Sequence, residues 1–338
     1  MAGTVLVTGG SGFIAGYLIR QLVAEGWTVR ATVRSLAREA DVRRLLAVDD
    51  SKLRFFAADL MSDDGWAAAA EGCSHMAHVA SPFPATAPRH EDELVVPARE
   101  GALRALRTAK AAGVRRVVMT SSVAAIAYGR PRGVYTFTEA DWTDLTSPEI
   151  YPYVKSKTIA EHAARDWVAA EGGGLEYCTI NPAAVLGPVL SSDFAASIEL
   201  VRRLIEGALP GLPDLGFGIV DVRDVADLHA RALAAPDMAG ERFIASGPFL
   251  RLTDVARILR EAMGRDARKV PLRRLPDFVV RIAGRFDPAI RQITTELGKT
   301  RNMDASHARE KLGWVARPPE ETIVATAQSL IDLGIVRV

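Results

Sequence analysis

The stretch "YPYVKSK", residues 151–157, holds two tyrosine–lysine pairs at the same spacing: Tyr151 with Lys155, and Tyr153 with Lys157. A phenol beside an ammonium is a proton-donating device. Free tyrosine has a pKa of about 10, and a positive charge within ~4–6 Å favours the phenolate and brings that value down. Such a phenol can protonate an alkoxide as a hydride reaches a carbonyl carbon. Proline decides between the pairs. It is accommodated in the first turn of a helix, and it pushes the residue before it out of helical geometry. Pro152 therefore starts a helix and leaves Tyr151 outside, whereas Tyr153 and Lys157 stand one turn apart on a single face. The same chemistry needs a hydroxyl to hold the carbonyl oxygen, and "VVMTSSVAA" offers Ser121 and Ser122.

Those side chains need elements to carry them. Short β-branched runs at 4–9, 28–33, 53–58, 75–80, 114–120 and 175–180 read as strands, with helical patterns at 12–25, 36–48 and 92–112 between them. This alternation predicts an α/β fold, a doubly wound parallel sheet of the Rossmann type with helices on both faces. Ligands bind at the carboxyl ends of such strands, and the serine pair ends the fifth. After "NPAAVLGP" (181–188) the rhythm changes. Residues 194–208, 253–263 and 319–333 look helical, while 265–291 is arginine-rich and broken by prolines. The expected organisation is a dinucleotide-binding domain over 1–182, with segments near 219–246 returning to it. A smaller C-terminal substrate-binding lobe would take most of 183–338.

Between the first strand and the first helix, "VLVTGGSGFIAGYLIRQL" sets Gly9, Gly12 and Ala15 three apart. A turn of this kind exposes backbone N–H groups and lets a pyrophosphate approach the positive end of a helix. After the second strand, "TVRS" offers Arg34 where a cofactor with a free ribose 2′-hydroxyl would meet an acid; none follows until Glu39. A guanidinium suits a 2′-phosphate, so NADPH is expected over NADH, with Arg38 a possible second contact. Asp59, in "AADL", either accepts from the adenine amino group or caps a helix starting near Ser62.

Composition narrows the partners. The net charge of +1 gives no general attraction to nucleic acid or to an anionic membrane. Two cysteines, Cys73 and Cys178, make no disulfide framework, and the amino-terminal residues lack a signal-peptide pattern, so a cytoplasmic protein is expected. No apolar run is long enough to span a bilayer. His75 and His78 would point to opposite faces of a strand and cannot share an ion with Cys73, so no metal is expected. Asp221, Asp224 and Asp227 suit a helix start. The basic run Arg265, Arg268, Lys269, Arg273, Arg274, Arg281 and Arg285 reads as a solvated face, with an anionic substrate such as a coenzyme A thioester as the alternative.

Taken in order, the glycine turn, the serines and the tyrosine–lysine pair resemble the extended branch of the short-chain dehydrogenase/reductase family. The resemblance covers nearly the whole chain and is nearest to the dihydroflavonol reductase and aldehyde reductase group. It rests on "TGGSGFIAGYL", "VRATVRS", "ADL", "HVASPF", "VMTSS", "YVKSKTIAE" and "NPAAVLGP". It implies Ser122, Tyr153 and Lys157 as the catalytic set, with Tyr153 and Lys157 also at the cofactor, Lys157 holding the nicotinamide ribose. It implies further NADP contacts at Gly9, Gly12, Phe13, Ile14, Arg34, Asp59, Leu60, Ala80 and Pro182. Flavonoid reductases carry an asparagine five residues after the catalytic serine. Here that position is Ala127, which argues against a flavonoid substrate. The expected pocket, Phe83, Pro84, Ile126, Tyr128, Leu186, Phe194 and Phe217, suits a hydrophobic or aromatic small-molecule carbonyl compound. A nucleotide-sugar epimerase or dehydratase is the rival on the same fold, but the acids of a dehydratase are missing at Val123, Ala124 and Ala125. A non-catalytic NADP-binding sensor is the rival outside enzymes, and its relatives typically lose a tyrosine or lysine that this chain keeps. Monomer and homodimer both fit.

Overall fold

Strands covered on both faces must be apolar in both alternating rows. In β1 (Thr4–Val7), Val5 and Val7 enter one core while Leu6 enters the other. The computed structural model describes residues 3–82, 88, 90–192, 194–286 and 288–338. From β1 the chain continues through α1 (Phe13–Ala24), β2 (Thr28–Val33), α2 (Glu39–Leu46), β3 (Leu53–Ala57) and α3 (Trp66–Ala70). Next come β4 (His75–His78), α4 (Asp92–Ala111), β5 (Arg116–Thr120), β6 (Val134–Phe137), α5 (Pro152–Glu171) and β7 (Glu176–Pro182). The remainder runs β8 (Ala184–Leu186), α6 (Ala196–Ile205), β9 (Gly216–Asp221), α7 (Val222–Ala234), β10 (Arg242–Ala245) and β11 (Phe249–Arg251). It closes with α8 (Leu252–Met263), α9 (Asp277–Ala283), α10 (Pro288–Thr294), β12 (Thr300–Met303), α11 (Ser306–Leu312) and α12 (Pro319–Asp332).

Seven strands form one sheet in the order β10-β7-β5-β4-β1-β2-β3, every neighbouring pair parallel. This is the doubly wound sheet that the alternation predicts. The chain winds one way from β1 to β3 and the other way from β4 to β10, so a crevice opens at the carboxyl ends of β1 and β4. Helices α4 and α5 pack on each other over one face, and α1 and α7 over the other. A separate core, with Leu204, Ile219, Leu259, Ile323 and Leu330, lies among α6, α8, α12 and β9.

Several elements differ from the sequence reading. The helical pattern at 36–48 is broken into a 3-10 turn, Leu36–Arg38, and α2, because Ser35 Oγ accepts from the N–H of Ala37 and fixes a separate turn. Within 219–246, β10 joins the main sheet beside β7, whereas β9 pairs with β8 and β11 in a three-stranded sheet. Strands β6 and β12 form a parallel two-stranded ribbon, Val134 opposite Thr300. The sequence reading assigns neither: β6 ("VYTF") is made of strand-forming residues but is only four long, and β12 ("TRNM") is mostly polar. Among the described residues, no helix is long and apolar enough to cross a membrane.

Candidate active site

At the crevice the backbone turns sharply at Gly9, whose φ of +71° is costly for any residue with a Cβ. A Cβ there would also lie 3.0 Å from the Ala80 backbone. The ends of three strands are tied around this turn. Gly9 N–H donates to Thr32 Oγ1 at 3.1 Å, Gly10 N–H to the Thr32 carbonyl at 2.7 Å, and Ala80 N–H to Thr8 Oγ1 at 3.0 Å. Gly12 caps α1 with no side chain to occupy the first N–H groups, and the first turn carries no acid. This cradle fits the pyrophosphate of a dinucleotide. Phe13 and Ile14 are partly buried and pack their side chains against the apolar cores on either side of the turn. Arg34 is exposed directly after β2, and Arg38 lines a cleft with Gly10, Gly12, Phe13, Leu190 and Ser191.

Helix α5 begins as the proline rule requires. Tyr151 is its extended N-cap (φ −102°, ψ 162°) and Pro152 its first residue. The two tyrosine–lysine pairs part company here. Tyr151 packs edge-on against Tyr128 at 5.9 Å between ring centres, while Lys155 forms an ion pair with Glu91 at 2.7 Å. Tyr153 stands beside the side chain of Ser122, and the Lys157 ammonium lies 5.9 Å from the Tyr153 ring centre. Ser121 turns the other way and donates to Glu161 Oε2 at 2.5 Å.

The electrostatics differ from expectation in one respect. Lys157 does not lower the Tyr153 phenol; burial pushes it up, opposed by the Ser122 side chain. Lys157 Nζ instead donates to Ser81 Oγ at 3.0 Å, and burial pulls this ammonium down to about 8, with Glu161 acting against the fall. His78 bonds Thr8 Oγ1 at 2.9 Å and is held down at about 4, by burial first and then by the Lys157 charge. His75 bonds Ser74 and Arg115 on the other side of the strand.

Of the remaining cofactor candidates, Leu60 and Ala80 line one cleft together with Ser81, Thr120, Ser121 and Lys157. Pro182 is buried at the carboxyl end of β7. Asp59 does not cap a helix near Ser62. Its Oδ1 accepts from the Met61 N–H at 2.7 Å and closes a turn, and α3 begins later, after Gly65. The expected pocket is less coherent. Ile126 is wholly buried against Phe137 and Ile244, and Leu186 is buried beside Val189 and Ile198, so both sit in apolar cores. Tyr128, Phe194 and Phe217 are partly buried and keep exposed area. Phe83 and Pro84 lie outside the described residues. Ala127 is wholly buried and its carbonyl accepts from Arg301 Nε at 2.9 Å.

Sequence reasoning missed Ser81, Asn181 and Glu161. The available signal for the last was an acid four residues after Lys157, flanked by Ala160 and Ala164, on a face that had to pack.

Residues 5–245 match the NAD dependent epimerase/dehydratase family. The chain belongs to that family. Among its members, cinnamoyl-CoA reductase CAD2 of Medicago truncatula is 37% identical over 268 residues, 77% of this chain and 81% of that one. Dihydroflavonol 4-reductase of Zea mays is 34% identical over 269 residues, 77% of this chain and 74% of that one. The structure of yeast methylglyoxal/isovaleraldehyde reductase Gre2 complexed with NADPH superposes with a TM-score of 0.82 at 26% identity, covering 98% of this chain and all of that one. Within the epimerase/dehydratase family, these relatives put the chain in the extended short-chain dehydrogenase/reductase branch, as an NAD(P)-dependent oxidoreductase.

Proposed function

We propose that the protein is an NADPH-dependent reductase of hydrophobic or aromatic ketones and aldehydes, with Tyr153 as proton donor. The observation that carries this reading is the meeting of the Ser122 and Tyr153 side chains at the sheet's carboxyl edge, with Lys157 one turn along the same helix. Bound NADPH supplies the hydride. Gly9, Gly12 and the open start of α1 would hold its pyrophosphate, Arg34 its 2′-phosphate, Asp59 and Leu60 its adenine, and Ala80 and Pro182 its nicotinamide side. The NADPH carried by the yeast neighbour supports that choice of cofactor.

Ser122 donates its hydroxyl to the carbonyl oxygen and draws charge onto it. Tyr153, kept protonated by burial, gives its proton to that oxygen as the carbon is reduced. Lys157 holds the ribose hydroxyls and offsets the charge of the phenolate left behind.

A second reading is reduction of an aromatic acyl-coenzyme A thioester, supported by the relative named cinnamoyl-CoA reductase and by exposed Arg273, Arg281 and Arg285. One experiment separates the readings: loss of NADPH absorbance against a panel of aromatic aldehydes, aliphatic ketones and acyl-coenzyme A thioesters. Turnover of the aldehydes or ketones supports the first, and turnover of thioesters alone supports the second. Tight NADPH binding with no turnover of any carbonyl contradicts both.

A further inference from the structure

Glu161 stands one turn beyond Lys157 on α5 and is wholly buried. A carboxylate in that position must be met by donors or it destabilises the fold. It accepts at Oε2 from Ser121 Oγ at 2.5 Å and Asn181 Nδ2 at 2.8 Å. At Oε1 it accepts from Arg242 Nε at 2.7 Å, and from Thr179 Oγ1 and Arg165 Nε at 3.3 Å each. These donors come from the end of β5, from β7, from β10 and from α5 itself. Asn181 Nδ2 also donates to the Ser122 carbonyl at 3.2 Å, so the network reaches the backbone of the serine beside Tyr153.

Another ion pair in the same sheet, with its arginine buried, shows what a purely architectural one looks like. Arg116, 1% exposed, is met by Glu176 and by carbonyls of Ala232, Leu233 and Ala235, and none of these touches the site. Glu161 differs because its partners are the site's own supports.

We propose that Glu161 is a positioning residue for the reduction: it fixes the serine turn against the catalytic helix and supplies the counter-charge for the Lys157 ammonium. The proposal rests on the functional reading above. The groups around both side chains agree with it. Lys157 faces Tyr153 and Glu161 on its own helix, Ser81 after β4, and His78, which is neutral at neutral pH. Glu161 faces His162 and Arg165 on α5, Ser121 beyond β5, Tyr177, Thr179 and Asn181 on β7, and Arg242 on β10. Glu161 is the negative group of this set, and its carboxyl is held ionised by Arg242, Ser121 and Arg165 against the cost of burial.

The test is the titration of Lys157 followed at Cε by carbon-13 NMR in substrate-free protein, its signal assigned with Lys157→Met. Glu161→Gln keeps the shape and removes the charge, and Glu161→Gln with Arg242→Gln also removes a guanidinium left without its partner. Glu176→Gln serves as the architectural control. The expected result is a Lys157 midpoint ~1 pH unit lower in Glu161→Gln, a smaller fall in the double variant, and none in the control. The alkaline limb of kcat should move by the same amount. An unmoved midpoint in a folded variant overturns the proposal. Failure of both Glu161 variants to fold, judged by circular dichroism, also overturns it by assigning the carboxylate to the fold alone. A shifted midpoint in a protein that reduces no carbonyl removes the functional reading instead and leaves the hold on Lys157 standing.

Discussion

Ser121 and Ser122 are adjacent and chemically identical, yet the fold gives them different tasks: one hydroxyl anchors on Glu161 and the other meets Tyr153. The residues alone leave this choice open, because it depends on which way a 3-10 turn starts after β5. The tyrosine choice, by contrast, follows from one local rule at Pro152. Tyr151 packs its ring on Tyr128, away from Ser122, so Tyr151→Phe should keep that packing, change stability by no more than about 1 kcal/mol and leave kcat near the parent value, as thermal melting and steady-state rates would show. The pH dependence follows from Lys157. Its ammonium form is complete well below about 8 and is lost as pH rises through that value, whereas burial keeps the Tyr153 phenol protonated over the same range. Reduction should therefore be full at neutral pH and half-lost near 8. A kcat profile that stays flat through more alkaline pH would contradict this assignment.

At the scale of elements, the glycine turn was legible because it obeys a constraint written into one stretch of chain: a tight turn, no Cβ, and an open helix end. Gly9→Ala meets both the left-handed backbone and the Ala80 contact, so it should destabilise the protein by about 1–3 kcal/mol and weaken NADPH binding, measurable by melting and by fluorescence titration. Pairings between distant segments were not legible. Ile126 was expected in the pocket, and its burial is set by Phe137 on β6 and Ile244 on β10, neither of which its own neighbourhood reveals. Glu161 likewise takes its strongest cation from Arg242, 81 residues away. In the ribbon β6–β12, β6 is too short to stand out and β12 carries no apolar alternation, so only the folded chain shows it.

For the whole molecule, strand–helix alternation was enough to foresee the doubly wound sheet and a site at its carboxyl edge, because buried parallel strands leave a continuous apolar signature; the strand order that sets the switch point is visible only in the fold. The second half has no such rhythm, and its small sheet is assembled from strands in an order that composition does not encode. Cofactor choice is a property of this assembled crevice. A ligand that binds only the folded chain raises its melting temperature, and NADPH should do so more than NADH at equal concentration. Arg34→Leu should erase the difference by weakening NADPH ~10–100-fold, the cost of one charge-assisted contact, while sparing NADH. The account as a whole turns on the proton donor. Its most direct test compares NADPH affinity and carbonyl reduction in the parent and in Tyr153→Phe. The account predicts NADPH affinity weakened only modestly, by the loss of one hydroxyl at the cofactor, and a kcat lower by ~10²–10⁴-fold, whereas near-parental turnover in the phenylalanine variant would contradict it.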